Sequence, residues 1–382
     1  SALKRLKNMR APGFDGIFNT LLKHLQDKAI CLLTLHNRCL ELGYFPSAWK
    51  CAKVVPILKP GKDPTNPVSY RPISLHPSLG KIFEGLYVAL LQASVEGREH
   101  FPSDQFGFRS DHSTVHQLLR LKQYFERKKR VSKSTIVAML DVEKAFDNVW
   151  HDGLVHKLVT FGIPMYLVKF ILSYLQQRTF RVALCSTLSD SRLVSAGVPQ
   201  GSLLGPLLYI LYTADISMLP EGSRIFLFAD DIAIAAKVCF LDHISCWYAR
   251  NLLTLCPDKC NVISFSRSQC VKSFTMNSVH VNRVCVKGLN FCTVIVKDLG
   301  VWLDNALTFS HHIDSIVNKA RKILSLLKRI ASDFSDPLGR NTLFCFLVRS
   351  ILALSNLVPY SSDEHIKRVQ RSFTRFSICK IL

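Results

Sequence analysis

Arg224-Ile225-Phe226-Leu227-Phe228-Ala229-Asp230-Asp231-Ile232-Ala233-Ile234-Ala235 is the stretch on which the fold turns. Two apolar runs flank an adjacent pair of acids, which predicts a β-hairpin carrying the carboxylates at its tip. A second apolar run, Thr135–Leu140, also ends in an acid, Asp141. A buried strand does not end in an unpaired carboxylate facing a covered core, because an uncompensated buried charge is costly. At a strand end the charge can point into a cleft instead. If the two elements lie side by side, three carboxylates converge, and such a cluster persists chiefly where cations neutralise it. Each part alone has a plainer reading. Asp-Asp pairs are common at exposed turns, and Asp141 could cap a following helix. Asp147 and Asp152 read as first-turn or capping residues. The combination carries the signal.

Composition points the same way. The 382 residues carry a formal net charge of +21 with 48% hydrophobic content. That is ample apolar material for a core, and too little charge for a disordered polyelectrolyte. Such an excess of positive charge suggests a polyanionic partner, with general solubility as the bland alternative. No run of about 18 uncharged apolar residues occurs, so no membrane span is expected. No signal peptide is recognisable. The 13 cysteines include no CxxC pair, and reduced core thiols are the simplest reading. Cys256 and Cys260 are a weak candidate for a structural metal. The chain lacks an initial Met and opens mid-pattern, as a fragment of something longer would.

Outward from the hairpin, helical and strand patterns alternate, which predicts a mixed α and β fold. Helices are expected over Ile17–Leu42, Gly80–Ala93, Lys144–Phe161, Met165–Gln176 and Leu203–Ile216. Strands are expected at Val54–Leu58, Tyr70–Leu75, Phe180–Leu184 and Leu193–Val194. Between the first two strands lies the basic turn Lys59-Pro60-Gly61-Lys62-Asp63-Pro64. Beyond Ser310, Ile313, Ile316, Val317, Ala320, Ile323, Leu324 and Leu327 form one helical stripe, with Lys319, Arg321, Lys322, Lys328 and Arg329 around it. Asp336-Pro337 closes that unit, and a last helical segment runs to Leu382. Soft boundaries fall near 40 and 305.

These residues carry a resemblance. Asp141-Val142-Glu143-Lys144-Ala145-Phe146-Asp147, Gly197-Val198-Pro199-Gln200-Gly201-Ser202-Leu203-Leu204-Gly205-Pro206 and Phe228-Ala229-Asp230-Asp231 resemble motifs A, B and C of reverse transcriptases. Tyr70-Arg71-Pro72-Ile73-Ser74-Leu75 and Gln105-Phe106-Gly107-Phe108-Arg109 are similar to the fingers motifs. Cys256-Pro257-Asp258-Lys259-Cys260 is similar to motif D, and Leu299-Gly300-Val301-Trp302-Leu303-Asp304 to the primer grip. Ala11-Pro12-Gly13-Phe14-Asp15-Gly16 and the tail from Val358 resemble non-LTR retrotransposons of the LINE-type, jockey/I-like group of arthropods. The motifs stand in family order over about residues 10–305.

The resemblance implies an α+β right-hand polymerase. Residues 1–39 would extend the fingers, 40–305 would form fingers and palm, the palm an antiparallel sheet with helices, and 306–382 a mostly helical thumb. It implies RNA-directed DNA polymerase activity, in which a primer 3′-hydroxyl attacks the α-phosphate of a dNTP on an RNA template. Asp141, Asp230, Asp231 and the Val142 carbonyl would hold two Mg²⁺ ions, with Mn²⁺ as a substitute. Arg71 would contact the triphosphate, with Lys53, Lys59 and Lys62 as second-cation candidates and solvated hairpin charge as the alternative. Phe146 would stack under the sugar and exclude a 2′-hydroxyl, its alternative being helix packing. Gln200 and Gly201 would meet the nucleotide. Lys259 would protonate the pyrophosphate, its alternative being a surface lysine. The basic run Lys122, Arg127, Lys128, Lys129, Arg130 and Lys133, beside Tyr124 and Phe125, could grip template, direct nuclear import or solvate a connector. Partners would be an RNA template, a DNA primer and dNTPs, with no membrane. The setting would be intracellular, the nucleus for action and the cytoplasm for ribonucleoprotein assembly. An endonuclease, a Cys/His knuckle and an RNase H are not expected within this chain. Between Asp231 and Trp247 the sequence is shorter than the family's usual spacing, which puts the intervening helix in question. A catalytically decayed RNA-binding remnant is therefore the alternative, with another palm polymerase third.

Overall fold

The computed structural model describes residues 11–24, 29–95, 102–131, 134–217, 223–235, 239–256, 259–266, 295–304, 306–330, 336–352 and 363–378. In chain order the elements are α1 (Asn19–Lys23), α2 (Ala29–Leu42), β1 (Cys51–Leu58), β2 (Tyr70–Leu75), α3 (Ser78–Val95), α4 (Thr114–Val131), β3 (Ser134–Leu140), α5 (His151–Thr160), α6 (Met165–Leu175), β4 (Thr179–Leu184), β5 (Thr187–Leu188), β6 (Arg192–Leu193), α7 (Gly205–Tyr212), β7 (Arg224–Phe228), β8 (Asp231–Ala235), α8 (Cys239–Arg250), β9 (Asn261–Ser266), β10 (Ile295–Asp298), β11 (Val301–Asp304), α9 (Ser310–Ile330), α10 (Pro337–Phe344), α11 (Ser350–Leu352) and α12 (Asp363–Ile378). They fall into two compact units. The first comprises Ser1–Phe108, Val142–Leu219 and His243–Leu255, and the second Arg109–Asp141, Pro220–Asp242 and Cys256–Leu382.

In the first unit, β2 pairs antiparallel with β1, and β1 runs parallel to β4, which also carries β5 and β6. Prolines sit in edge strand β2 and in inner strand β1, with Pro56 opposite Pro72. Pro56 lies past the β4 pairing, which ends at Val54↔Val182, so its missing N–H breaks no bond to β4. Helices α3, α5, α6 and α7 supply the interior. Phe45 is fully buried with Trp49, Phe170 and Tyr174 edge-on around it. Two expectations are corrected here. The helix expected over Ile17–Leu42 is two helices, α1 and α2. The helix expected from Lys144 begins only at His151, because residues 143–148 form successive turns in which Lys144 takes a φ of 46°.

In the second unit, β7, β8, β3 and β9 form a four-stranded sheet in that order, antiparallel throughout. Amphipathic α4 lays Leu118, Leu121 and Phe125 into the core of this unit. The basic run therefore continues along a helix whose other face is buried; the side chains of Lys129, Arg130 and Lys133 lie outside the described residues. The stripe predicted on α9 is buried at Ile313, Ile316, Val317, Ala320, Leu324 and Leu327, and all of these but Ile316 share one core with Phe344 of α10 and Ile366, Val369 and Phe373 of α12. Each of the larger side chains contributes about 1.5–3 kcal/mol by leaving water. Asp336 does not close a unit. It caps α10, its carboxylate accepting from the Leu338 and Gly339 N–H groups. Among the described residues no helix is long and apolar enough to cross a membrane.

Candidate active site

The acids expected to converge all belong to the second unit. Strand β3 pairs with β8 up to Leu140↔Ile232. One step further along the same register come Asp141 and Asp231, side by side at neighbouring strand ends. Asp231 pairs with Phe228 and closes the β7–β8 hairpin, leaving Ala229 and Asp230 as a two-residue turn. Ala229 takes a φ of 59°, a left-handed conformation that costs a residue with a Cβ about 1–2 kcal/mol. The strain is tolerated because the flanking strands over-determine the turn, and the turn projects Asp230 from the sheet end.

The electrostatics record the crowding. Burial raises the Asp230 carboxyl above the usual range, and the Asp141 charge adds to it. Asp231 is pushed up to about 6 by removal from water, then by Asp230 and Asp141, although one edge remains exposed. Among the described residues no three His, Cys, Asp or Glu side chains form a closed metal cage. The donors are nonetheless all oxygens, crowded like charges at an open edge, which suits a hard divalent cation.

The cation now on Asp141 is Lys259, whose ammonium lies 3.0 Å from Asp141 Oδ1. Both groups are partly exposed, so the pair adds at most about 1 kcal/mol. Its loop is fixed by the main chain. The Cys256 N–H donates to the Asp141 carbonyl at 2.9 Å, and the Asp141 N–H donates to Cys260 Sγ at 3.4 Å. Cys260 is buried and its thiol is pushed up to about 11, chiefly by burial. Cys256 and Cys260 thus shape a lysine-bearing loop, and no metal group includes them among the described residues. Val142 bridges Leu255, while the bonds around that bridge run from Glu143 N–H to the Thr254 carbonyl and from Cys256 N–H to the Asp141 carbonyl. Val142 is the non-hydrogen-bonded member of such a ladder, so its own carbonyl points away from the 254–256 strand.

One acid escaped the sequence reading. Asp298 ends β10 and lines a small cavity together with Asp231, Phe228, Gln117 and Leu299. Burial, then the Asp231 charge, pushes its carboxyl up to about 7. The sequence signal is weaker than at Asp141, because Lys297 stands between the apolar residues Val294-Ile295-Val296 and the acid.

The nucleotide candidates lie in the first unit. Phe146 stands edge-on to Phe108, centroids 6.3 Å apart, and tilts against buried Tyr209 at 4.7 Å. Phe108 itself holds a φ of 55°. The Gly197–Gly201 turn is drawn in by backbone bonds, Gly197 N–H to the Val149 carbonyl and Val198 N–H to that of Phe146. Gly197 has a φ of 88°, and a Cβ there would sit 2.5 Å from the Asp147 carbonyl. Gln200 donates its amide to Asp147 Oδ1 at 3.0 Å. Asp147 is therefore no capping residue; it holds Gln200, and burial raises its carboxyl. Asp152 does sit in the first turn of α5. Register places Lys53, Arg71 and Arg181 on one face of the β2-β1-β4 sheet, since Lys53 pairs with Arg181 and Leu75, and Arg71 with Ile57. Arg71 is exposed. Lys59 is engaged locally, its ammonium donating to the Val68 carbonyl at 2.8 Å across the hairpin mouth. Lys62 lies in the exposed turn beyond. Helix α8 occupies the stretch after Asp231 whose brevity put it in question. Ile244 and Tyr248, one turn apart, are both buried.

The family described as reverse transcriptase (RNA-dependent DNA polymerase) matches residues 57–303. The chain belongs to the reverse transcriptase family. Within it, similarity runs to non-LTR elements. The chain is 35% identical over 387 residues to a probable RNA-directed DNA polymerase from transposon X-element of Drosophila melanogaster, covering 96% of this chain and 41% of that protein. It is 35% identical over 334 residues to the RNA-directed DNA polymerase from mobile element jockey of the same fly, covering 82% and 35%. The chain thus spans about two-fifths of the length of these relatives. A solved structure of apo telomerase from Candida tropicalis, truncated from its C-terminal domain, aligns over 74% of this chain and 59% of its own at a TM-score of 0.47 and 11% identity. As a reverse transcriptase the chain has a right-hand polymerase fold, and the antiparallel β7-β8-β3-β9 sheet is the element that bears its motif A and motif C aspartates.

Proposed function

We propose that the chain is an active RNA-directed DNA polymerase that extends a primer 3′-hydroxyl with dNTPs on an RNA template. The observation that carries this reading is the level placement of Asp141 and Asp231 at adjacent strand ends, with Asp230 in the turn between strands. Asp141, Asp230, Asp231 and the Val142 carbonyl would hold Mg²⁺, which when bound supplies Lewis acidity and charge neutralisation for phosphoryl transfer. Asp231 and Asp230 enter that role as crowded acids whose mutual repulsion a cation relieves. Lys259, paired with Asp141, would deliver a proton towards departing phosphate oxygens. Phe146, wedged between Phe108 and Tyr209, would present a fixed ring to the incoming sugar. Gln200, held by Asp147, and Gly201 would meet the nucleotide from the motif B turn. Arg71 and Lys53, on one sheet face, supply charge for the triphosphate.

Template and primer would be held mainly through phosphates. An open pocket of about 520 Å³ between α9 and α12, lined by Lys328, Arg368, Arg371, Ser372, Arg375 and Phe376, supports this. The decayed-remnant alternative drew on the short stretch after Asp231, and the presence of α8 there favours the active enzyme. Primed poly(rA) with dTTP and Mg²⁺ tests the reading, alongside Asp230→Ala. Extension lost in the variant is the expected result. Tight RNA binding without extension by the unaltered chain would refute it.

A further inference from the structure

Beneath the motif B turn of the first unit lies a buried ionic network that no motif announced. Glu84 on α3 is 1% exposed and Arg178, just before β4, is 2% exposed. Tyr174 joins them. Its hydroxyl donates to Glu84 Oε1 at 3.3 Å, its carbonyl accepts from the Arg178 guanidinium at 3.1 Å, and that guanidinium lies 4.5 Å over its ring. Arg178 also donates to His76 Nδ1 at 3.1 Å. His76 is held neutral, its pKa lowered to about 3 by burial and by Arg178. The other carboxylate oxygen of Glu84 accepts the Leu203 N–H at 2.7 Å, and Glu84 also takes a bond from the Leu204 N–H. Burial raises the Glu84 carboxyl above its ordinary range, and the Arg178 charge and these two N–H groups act against that rise by favouring the ionised form.

Those two N–H groups precede α7, where the first turn of a helix leaves donors unpaired. They are also two and three residues past Gly201. The same turn is pinned from its other side, because the Ser74 N–H donates to the Gln200 carbonyl at 3.0 Å. Gly201 has a φ of 104°, and a Cβ there would meet the Ser74 carbonyl oxygen at 2.7 Å. The turn thus rests on the segment from Ser74 to Glu84, with β2 at one end and a buried carboxyl at the other. Keeping two charges out of water is expensive, and hydrophobic residues would fill this space at lower cost. What an ionised carboxylate adds is direction. It accepts two backbone donors at once, more strongly than a neutral amide can.

We propose that Glu84, with Arg178 as its counter-charge, is the positioning residue that fixes the height of the Gln200-Gly201 turn and thereby sets nucleotide affinity and base-pair fidelity. The proposal rests on the polymerase reading above. Glu84 touches no substrate. It acts through the Leu203 and Leu204 amides, and Tyr174 couples its orientation to Arg178.

The test is single-nucleotide extension by the full chain in rapid quench, comparing Glu84→Gln with the unaltered protein. Burst amplitude counts folded sites, whereas dNTP affinity and the mismatch ratio are properties of each folded site. Glu84→Gln should weaken dNTP binding about tenfold, the effect of replacing a charge-assisted double acceptor with a neutral one. Misinsertion should rise, and primer–template affinity should stay unchanged. Tyr174→Phe, which removes only the hydroxyl bond, should move dNTP affinity the same way by about threefold, and it decides the matter if Glu84→Gln does not fold. Tyr87→Phe, on the same helix and with its hydroxyl unpartnered among the described residues, should leave affinity unchanged. Unaltered dNTP affinity and fidelity at folded sites of Glu84→Gln, or an equal shift in Tyr87→Phe, would overturn the proposal. A nucleotide-free readout separates this from the polymerase reading. Amide exchange across residues 197–207 should quicken about tenfold in Glu84→Gln even if the unaltered chain extends no primer, and unchanged exchange would sink the positioning role alone.

Discussion

Asp231→Asn should make the metal-free chain more stable at neutral pH while abolishing primer extension. The Asp231 carboxyl moves from 3.8 to about 6 on folding, first through burial and then through Asp230 and Asp141. A displacement of that size corresponds to about 3 kcal/mol at full strength. Solvent at the exposed edge of the residue screens it, leaving about 1–1.5 kcal/mol. The sign follows from proton binding. The folded state holds this proton more tightly than the unfolded chain, so ionisation opposes folding above about pH 6. The penalty shrinks as pH falls through 6 and vanishes below 3.8. Asparagine carries no such penalty. In EDTA at pH 7.5 the variant should therefore gain about 2–4 °C in the midpoint of the unit that carries the site. At pH 4.5 the gain should fall to about a third. Millimolar Mg²⁺ should narrow or reverse the order, because it stabilises only the chain that binds it. Thermal or urea unfolding across these conditions is the assay. A variant no more stable than the parent at pH 7.5, or equally stabilised at both pH values, would refute the account of crowded carboxylates.

Gly201→Ala should destabilise the motif B turn by about 2 kcal/mol or more, because the added Cβ meets a backbone oxygen and φ is left-handed; an unchanged urea midpoint would contradict that geometry. Phe146→Val should raise ribonucleotide relative to deoxyribonucleotide incorporation, and an unchanged ratio in an active variant would return Phe146 to a packing role. Replacing Arg368 and Arg375 with Gln should weaken primer–template binding and flatten its dependence on salt by up to about two counterions. The same slope as the parent would exclude the α9–α12 pocket from the nucleic-acid path.

The hairpin of β7 and β8 was legible because alternation, turn and acids all act within twelve residues. The α9 stripe was legible for the same local reason. What failed was decided at long range. Residues 144–149 read as helix, yet the Phe146 and Val149 carbonyls are taken by Val198 and Gly197, and no local pattern discloses a partner fifty residues away. Asp147 looked like a cap until Gln200 claimed it. Glu84 left only a faint trace, an acid among Ile82, Phe83, Tyr87 and Leu91, all buried. Its meaning depends on Tyr174 and Arg178, which share no motif with it. Lys59 was read for its charge, but the loop geometry of the hairpin turned its ammonium to the Val68 carbonyl.

The strand order β7-β8-β3-β9 also constrains how the protein can be made. Strand β3 lies in the middle of its sheet, yet its neighbours begin only at Asp231 and Asn261. At about 5–20 residues per second of synthesis, β3 waits several seconds or more with both edges unpaired. Unpaired apolar edges template aggregation. A chain ended between residues 140 and 231 would leave β3 with both edges unpaired, so aggregation is the expected fate of such a fragment.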